Sequence, residues 1–468
     1  MDVKEYKHLY QRAAFGYTLA NWQKDRKLSR EKLVKKLLKQ SERFEPLETG
    51  EIKQFSRQEL KMLSDEERKA LKMSQRDSIK SLNVGWINRM ANSPHQLREK
   101  MTLFWHDHFA CRLPLQFGAT VRQNNLLRQH ALGSFQEMLH AISKDAGMLR
   151  FLNNQQNRKD HPNENFAREL LELFTLGRGH YTETDIKEAA RAFTGWSSNL
   201  KGEFVFRRFQ HDRGEKSFMG QKGNFGGEEI LDMVLANPQT AHFITEKLYR
   251  YFVNQEIDPA VVKSWAQHFY DTNYDIAALL FLMFSSDHFY ETKHMGRRIK
   301  SPVEYIVHLM RNLNLYFTDK DGPLLIQRVL GQVLFNPPNV SGWPEGKAWI
   351  DSSSLMTRLR IPMALIMAAE LEVQGKDAFA GNEDVIKAGD RKLLKKLQAV
   401  IEWDKMLRHF QKISRTELIH EMRDYFLQLP AQQLDQETLA QFVRGKNDLE
   451  KFKILVMRLL CTPEYQFC

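Results

Sequence analysis

Apolar residues recur at three- and four-residue spacing through most of the chain, and few runs alternate as strands do. The pattern predicts a mainly α protein: a large multi-helix domain with long functional loops and a short β-hairpin. Helices are expected near residues 4–12, 30–41, 57–92, 95–111, 119–142, 163–176, 182–194, 227–252, 258–270, 275–285, 300–315, 322–332 and 352–370. Helical periodicity returns from about 390 to 464. Three segments interrupt it: Asn153 to Pro162, Gly195 to Gly227, and Phe335 to Trp349. Breaks this long inside a helical domain read as functional loops rather than connectors. A polar, glycine-containing stretch at 375–384 reads as a linker between a main domain, 1–374, and a helical C-terminal subdomain, 385–468. The absence of a fixed-period repeat argues against a solenoid.

Composition narrows the class. With 468 residues and 42% hydrophobic side chains the chain can fill a sizeable core, which excludes disorder for its bulk. The longest apolar run, Ile276 to Phe284, is about half of the roughly 18 residues that suggest a membrane span, so a buried helix is expected there and no transmembrane segment. Cys111, Cys461 and Cys468 are widely spaced, which fits neither a disulfide framework nor a zinc ribbon. The opening Met1-Asp2-Val3-Lys4-Glu5-Tyr6-Lys7 carries charges where a signal peptide needs an apolar core. A cytoplasmic location is therefore expected, with the periplasm left open. The formal charge of +11 would suit a nucleic-acid binder, but its bases are mixed with acids, as in Lys61 to Lys69, and no cluster interleaves them with aromatics. Solvated helix faces account for the charge, and nucleic acid is not an expected partner.

Four segments are rich in chemistry. In Leu97 to Phe109, Leu97, Met101, Phe104, Trp105 and His108 fall on one helix face, while His106 points about 200° away from His108. His106 and His108 are candidate ligands of a divalent metal ion if the helix breaks there; a buried, hydrogen-bonded His108 is the plainer reading. In Pro162 to Gly177, Asn165, Glu169 and Glu172 line the border of an apolar face, where a helix presents carboxylates for acid–base work or a hard metal. The alternative is that Glu169 pairs with Arg168 or another base and fixes packing.

In Phe204 to Gly227 a hairpin turning at His211-Asp212-Arg213-Gly214 would place Phe218 beside Phe204 and Phe206. The glycines that follow lack the Lys-Ser/Thr of a phosphate loop, leaving Lys216 and Lys222 as contacts for an anionic group. In Leu334 to Asp351, Trp343 and Trp349 with Asn336, Asn339 and Asp351 are the residue types that line a sugar-binding or small-molecule cleft. Structural packing of a Pro-rich loop is the competing reading.

These segments also carry a resemblance. His8-Leu9 with Arg12-Ala13-Ala14-Phe15-Gly16, Phe104-Trp105-His106-Asp107-His108-Phe109, the run Asn163 to Gly177 ending in Leu-Phe-Thr-Leu-Gly, Ala189 to Trp196, His211-Asp212 with Lys216, and Asn336 to Val340 through Gly342-Trp343-Pro344 resemble a bacterial family catalogued only as a domain of unknown function, number eighteen hundred. The likeness covers nearly the whole chain. It implies a large helical domain and a sulfatase-like or phosphatase-like partner protein, often in exported systems, and no established activity.

The expected function is an enzyme with a carboxylate/histidine cleft and hydrolytic or metal-assisted chemistry. Glu169, Glu172, His211 and Asp212 would be catalytic; Asn165, Arg168, Lys216, Asn336, Asn339 and Trp343 would bind substrate; His106 and His108 would hold the metal. The alternative is a non-catalytic accessory protein that holds a polysaccharide or the partner enzyme on the Trp343 loop.

Overall fold

Many of the helices start at a capping side chain, as at Ser29, Ser134, Asp145, Asp258 and Asp275. The computed structural model describes residues 1–48, 59, 62–113, 116–199, 201–374, 397–410, 413, 415–429 and 447–468. Its first half holds α1 (Val3–Ala13), α2 (Leu19–Asp25), α3 (Arg30–Gln40), α4 (Asp65–Asn92), α5 (Gln96–His108), α6 (Phe117–His130), α7 (Phe135–Ser143), α8 (Ala146–Phe151), α9 (Asn165–Glu169) and α10 (Glu183–Ala192). Then come α11 (Gly227–Ala236), α12 (Pro238–Phe252), α13 (Pro259–Asp271), α14 (Ile276–Ser285), α15 (Pro302–Leu313), α16 (Asp321–Leu330), α17 (Ser352–Gln374), α18 (Trp403–Phe410), α19 (Arg415–Phe426) and α20 (Asp448–Leu460). Reciprocal caps at Ser64/Glu67, Thr182/Asp185 and Ser301/Glu304 open α4, α10 and α15. The protein is mainly α, with small two-stranded antiparallel sheets.

Two expected helices are each divided. The stretch 119–142 breaks after Gly133, where Ser134 accepts the N–H of Glu137 and starts α7. The stretch 227–252 breaks at Asn237, which caps α12 while Pro238 takes the first helical position, where a missing N–H is harmless. Helices α2 and α8, with 7 and 6 residues, are too short to show a periodicity and were not expected.

The segment after Gly195 forms two hairpins instead of one. Strands β1 (Trp196–Ser198) and β2 (Phe204–Phe206) pair, and β3 (Lys216–Phe218) pairs with β4 (Gln221–Gly223). The expected turn at His211 to Gly214 is instead the connection between them. There the Asp212 carboxylate accepts the N–H of Gly214 and closes a local turn that competes with strand pairing. Phe206 is correspondingly exposed and Phe218 fully buried, so the two do not share a face.

The chain after residue 396 packs into the same core as the N-terminus. Lys7 Nζ donates to the carbonyls of Asp424 and Leu427 at 2.5 and 2.6 Å. Strand β5 (Leu315–Phe317) pairs with β6 (Ala399–Ile401), and Cys468 exchanges backbone hydrogen bonds with Arg298. One hydrophobic cluster runs from Tyr6 in α1 through Trp86, Trp105 and Phe252 to Phe452 and Tyr465. The polar stretch 375–384 and residues 385–396 lie outside the described residues.

Two buried carboxylates cross-link this core. Glu99 receives Arg89, Arg128 and the Trp86 indole N–H, tying α5 to α4 and α6. Glu304 receives Lys100 and Arg298. Burial opposes the charge on Glu304, yet the two cations hold its carboxyl well below the usual range. Among the described residues no helix is long and apolar enough to cross a membrane.

Candidate functional site

The end of α5 is where the loops are anchored. His106, Asp107 and His108 project in different directions, as successive helical residues must, and each holds a different piece of backbone. His106 Nε2 accepts the N–H of Phe335 at 3.0 Å, so its proton lies on Nδ1. Asp107 Oδ1 accepts the N–H of Trp343 at 2.8 Å. His108 does the reverse of His106: its Nε2–H donates to the Phe174 carbonyl at 3.1 Å, while Nδ1 faces the Lys247 ammonium at 3.3 Å. Burial keeps both rings neutral, pushing His106 down to about 3 and His108 well below the ordinary value. The two histidines thus serve separate backbone contacts, and the expected shared metal at His106 and His108 is corrected: the helix does not break between them.

The same anchoring explains the Leu-Phe-Thr-Leu-Gly run. Beyond α9 the chain widens into a π-helix, Leu170–Thr175. Its terminal carbonyls cannot all be paired within the helix and need outside donors. Phe174 takes His108, Leu173 takes Lys247 and Leu176 takes the Gln239 amide. Gly177 ends the helix at φ +81°, with the Phe243 ring so close that a Cβ would lie 2.9 Å from it.

Beside this anchor lies a narrow cleft with a free volume of about 30 Å³, lined by Asp107, Tyr251, Arg298, Ser301, Glu345 and Trp349 among others. The groups come from α5, the last turn of α12, the segment before α15 and the 335–349 loop. Burial, reinforced by the negative charge of Glu345, raises the Asp107 carboxyl to about 7, although the Trp343 N–H and Lys247 oppose the shift. The Tyr251 hydroxyl is buried without a hydrogen-bond partner among the described residues, and burial followed by the charge of Glu304 pushes it well above its ordinary value. Arg298 stacks its guanidinium 4.6 Å from the Tyr251 ring centroid. Its Nη1 is held by Glu304 at 2.7 Å and lies 3.6 Å from the Cys468 sulfur. Nε and Nη2 have no hydrogen-bond partner among the described residues. A carboxyl titrating near neutrality, a hydroxyl and a fixed cation therefore meet in one place.

The other expected site residues are distributed differently. Glu169 and Glu172 are close enough to interact: burial and then the charge of Glu172 raise the Glu169 carboxyl. Glu172 is committed to Arg178 Nε at 2.5 Å and the Tyr181 hydroxyl at 2.8 Å, which lower its own. Arg168 makes a two-pronged ion pair with Glu183 and reaches Glu164, so it does not pair with Glu169. Asn165 donates to the Leu152 carbonyl. His211 Nδ1 sits 3.0 Å from the Thr194 carbonyl, and Asp212 is clamped by Arg191 Nε at 2.7 Å, which lowers its carboxyl.

Lys216 is also internal, donating to the carbonyls of Asp212 and Gly214. Lys222 is exposed, and the N-terminus of α11 that the glycines lead into is occupied by Glu229. Asn336 and Asn339 are exposed, with Asn339 Oδ1 accepting the N–H of Ser341. The Trp343 ring is buried against His106 at 5.4 Å between centroids and offers no platform for a sugar. Glu172, His108 and His211 are thus held by separate partners, while Glu169 makes no hydrogen bond or ion pair among the described residues and interacts with Glu172 through charge.

Asp107 was visible in sequence only as the acid between two histidines. Tyr251 and Lys247 stand one helical turn apart on α12, a spacing shared with countless surface pairs, and nothing in the sequence marks Arg298. Together the fold and the cleft define a mainly α protein with a narrow cleft under a loop pinned to α5. The chain belongs to the family described as "Protein of unknown function (DUF1800)", whose family model matches residues 8–467. No curated protein and no solved structure matches it.

Proposed function

We propose that the protein is an enzyme, with the cleft between Asp107, Tyr251 and Arg298 as its active site and hydrolysis of an anionic substrate as its reaction. The observation that carries this reading is the convergence of those three groups, with Asp107 raised to about 7. A group titrating near the working pH is matched to proton transfer. Arg298, fixed by Glu304, would anchor the substrate's negative group through Nε and Nη2. Asp107 would exchange a proton with the leaving group or attacking water, and the Tyr251 hydroxyl would hydrogen-bond the reacting oxygen. The partner implied by the family resemblance, a sulfatase-like or phosphatase-like protein, handles anionic esters, which sets the first substrates to try.

The test is turnover of chromogenic phosphate, sulfate, carboxylate and glycoside esters by the wild type, Asp107→Asn and Arg298→Lys. Hydrolysis lost in Asp107→Asn, with KM raised in Arg298→Lys, supports the proposal. Turnover unchanged in Asp107→Asn removes it.

A second reading, an accessory protein that docks on a partner, draws on Phe209, which is 92% exposed beside the exposed Arg207 and Arg208. Capture of a sulfatase-like partner that is lost in Phe209→Ala, without turnover of any ester, would favour it.

A further inference from the structure

A second constellation lies in the segment between α14 and α15. The sequence His288-Phe289-Tyr290-Glu291-Thr292-Lys293-His294 places His, Glu and His at intervals of three. The backbone there follows three-residue turns: Glu291 N–H bonds the His288 carbonyl at 3.2 Å, and His294 N–H bonds the Glu291 carbonyl at 2.9 Å. Turns of that period bring side chains three apart to the same side. One ligand atom from each residue accordingly lies within 4.8 Å of the other two. The imidazole centroids are 4.6 Å apart, and His288 Nδ1 is 3.1 Å from Glu291 Oε1.

In each ring a neighbour holds one nitrogen. The Tyr249 hydroxyl is 2.9 Å from His288 Nε2, and the Asn254 amide is 3.0 Å from His294 Nδ1. The Tyr249 hydroxyl can accept the Nε2–H of His288 and so leave Nδ1 for an ion. The Asn254 amide, whose Oδ1 takes the Glu256 N–H, donates to His294 Nδ1 and would have to turn away for Nε2 to bind one. The remaining nitrogen of His294, Nε2, is buried and has no hydrogen-bond partner among the described residues. His8 Nδ1 and His308 Nε2 are buried in the same way, and among the described residues His294 is the one of the three grouped with a second imidazole and a carboxylate.

We propose that His288, Glu291 and His294 bind a divalent first-row transition ion of the zinc type. Two imidazoles and one carboxylate are a zinc donor set, whereas calcium and magnesium prefer oxygen throughout. Around a tetrahedral zinc ion the ligand atoms stand roughly 3.4 Å apart, so small side-chain rotations complete the site. Glu291 would use Oε1 for the ion while Oε2 keeps Lys293, its partner at 2.7 Å. The Glu291 side chain is 44% exposed, which leaves water access to a fourth position. All three ligands lie on the segment after α14, so the ion would fix the successive turns of that segment.

The experiment titrates cobalt(II) into chelator-treated, dialysed, tag-free full-length protein and follows the visible d–d band. One equivalent giving a four-coordinate spectrum, displaced by zinc, is expected. Glu291→Gln, at an exposed position that folding tolerates, should weaken binding at least about tenfold, and His288→Asn should abolish the band. Asp107→Asn should leave cobalt binding unchanged, which separates this site from the proposed active site. A folded wild type with no band at one equivalent, or an unchanged band and affinity in Glu291→Gln, overturns the proposal.

Discussion

Asp107 and Trp343 are joined by a hydrogen bond from the Trp343 backbone N–H to Asp107 Oδ1 at 2.8 Å. The residue just before it, Gly342, has φ +85°, and a Cβ there would stand 2.2 Å from the same oxygen. The backbone reaches the carboxylate because position 342 has no side chain.

Gly342→Ala should therefore break the Asp107 anchor. The left-handed backbone alone costs a non-glycine residue about 1–2 kcal/mol, and the clash with Oδ1 adds to it. Urea unfolding should show the loss, while Gly331→Ala, with similar backbone but open space at Cβ, should show only the backbone cost.

His106→Ala and His108→Ala test the anchoring role against metal ligation. Each leaves a cavity and an unpaired buried backbone group, so a loss of roughly 2–4 kcal/mol is expected. Elemental analysis of both purified variants should show the metal content of the wild type.

Asp107 also predicts a pH dependence. Its carboxyl is raised to about 7 in the folded protein, against an unfolded value of about 3.9. Between those values the folded state binds more protons than the unfolded state, so stability declines as pH rises from about 4 to 7 and levels off above. Asp107→Asn keeps an acceptor for Trp343 and should remove that decline. Thermal melting of both proteins across this range checks it.

Glu304 is the carboxylate between Lys100 and Arg298, and its removal leaves two buried cations without a counter-charge. Glu304→Gln should cost on the order of 3–5 kcal/mol. It should also free Arg298, so substrate binding in the cleft should weaken together with the melting temperature.

The sequence by itself determined the helical class and most helix positions, because a buried helix face writes a local 3.6-residue period into the chain. It also displayed the segments that matter, since the FWHDHF and LFTLG runs are where α5 and the π-helix hold the loops. Helix breaks at Gly133 and Asn237 were legible afterwards as caps but are too short to override an apolar period. The roles of the residues came only from the tertiary structure. His106 and His108 look like ligands until Phe335 and Phe174 are seen to occupy them, and Trp343 looks like a binding surface until its ring is buried. The cleft gathers Asp107, Tyr251 and Arg298 from distant parts of the chain. Burial, which raises the Asp107 carboxyl and isolates the Tyr251 hydroxyl, belongs to the packed molecule and to no stretch of sequence.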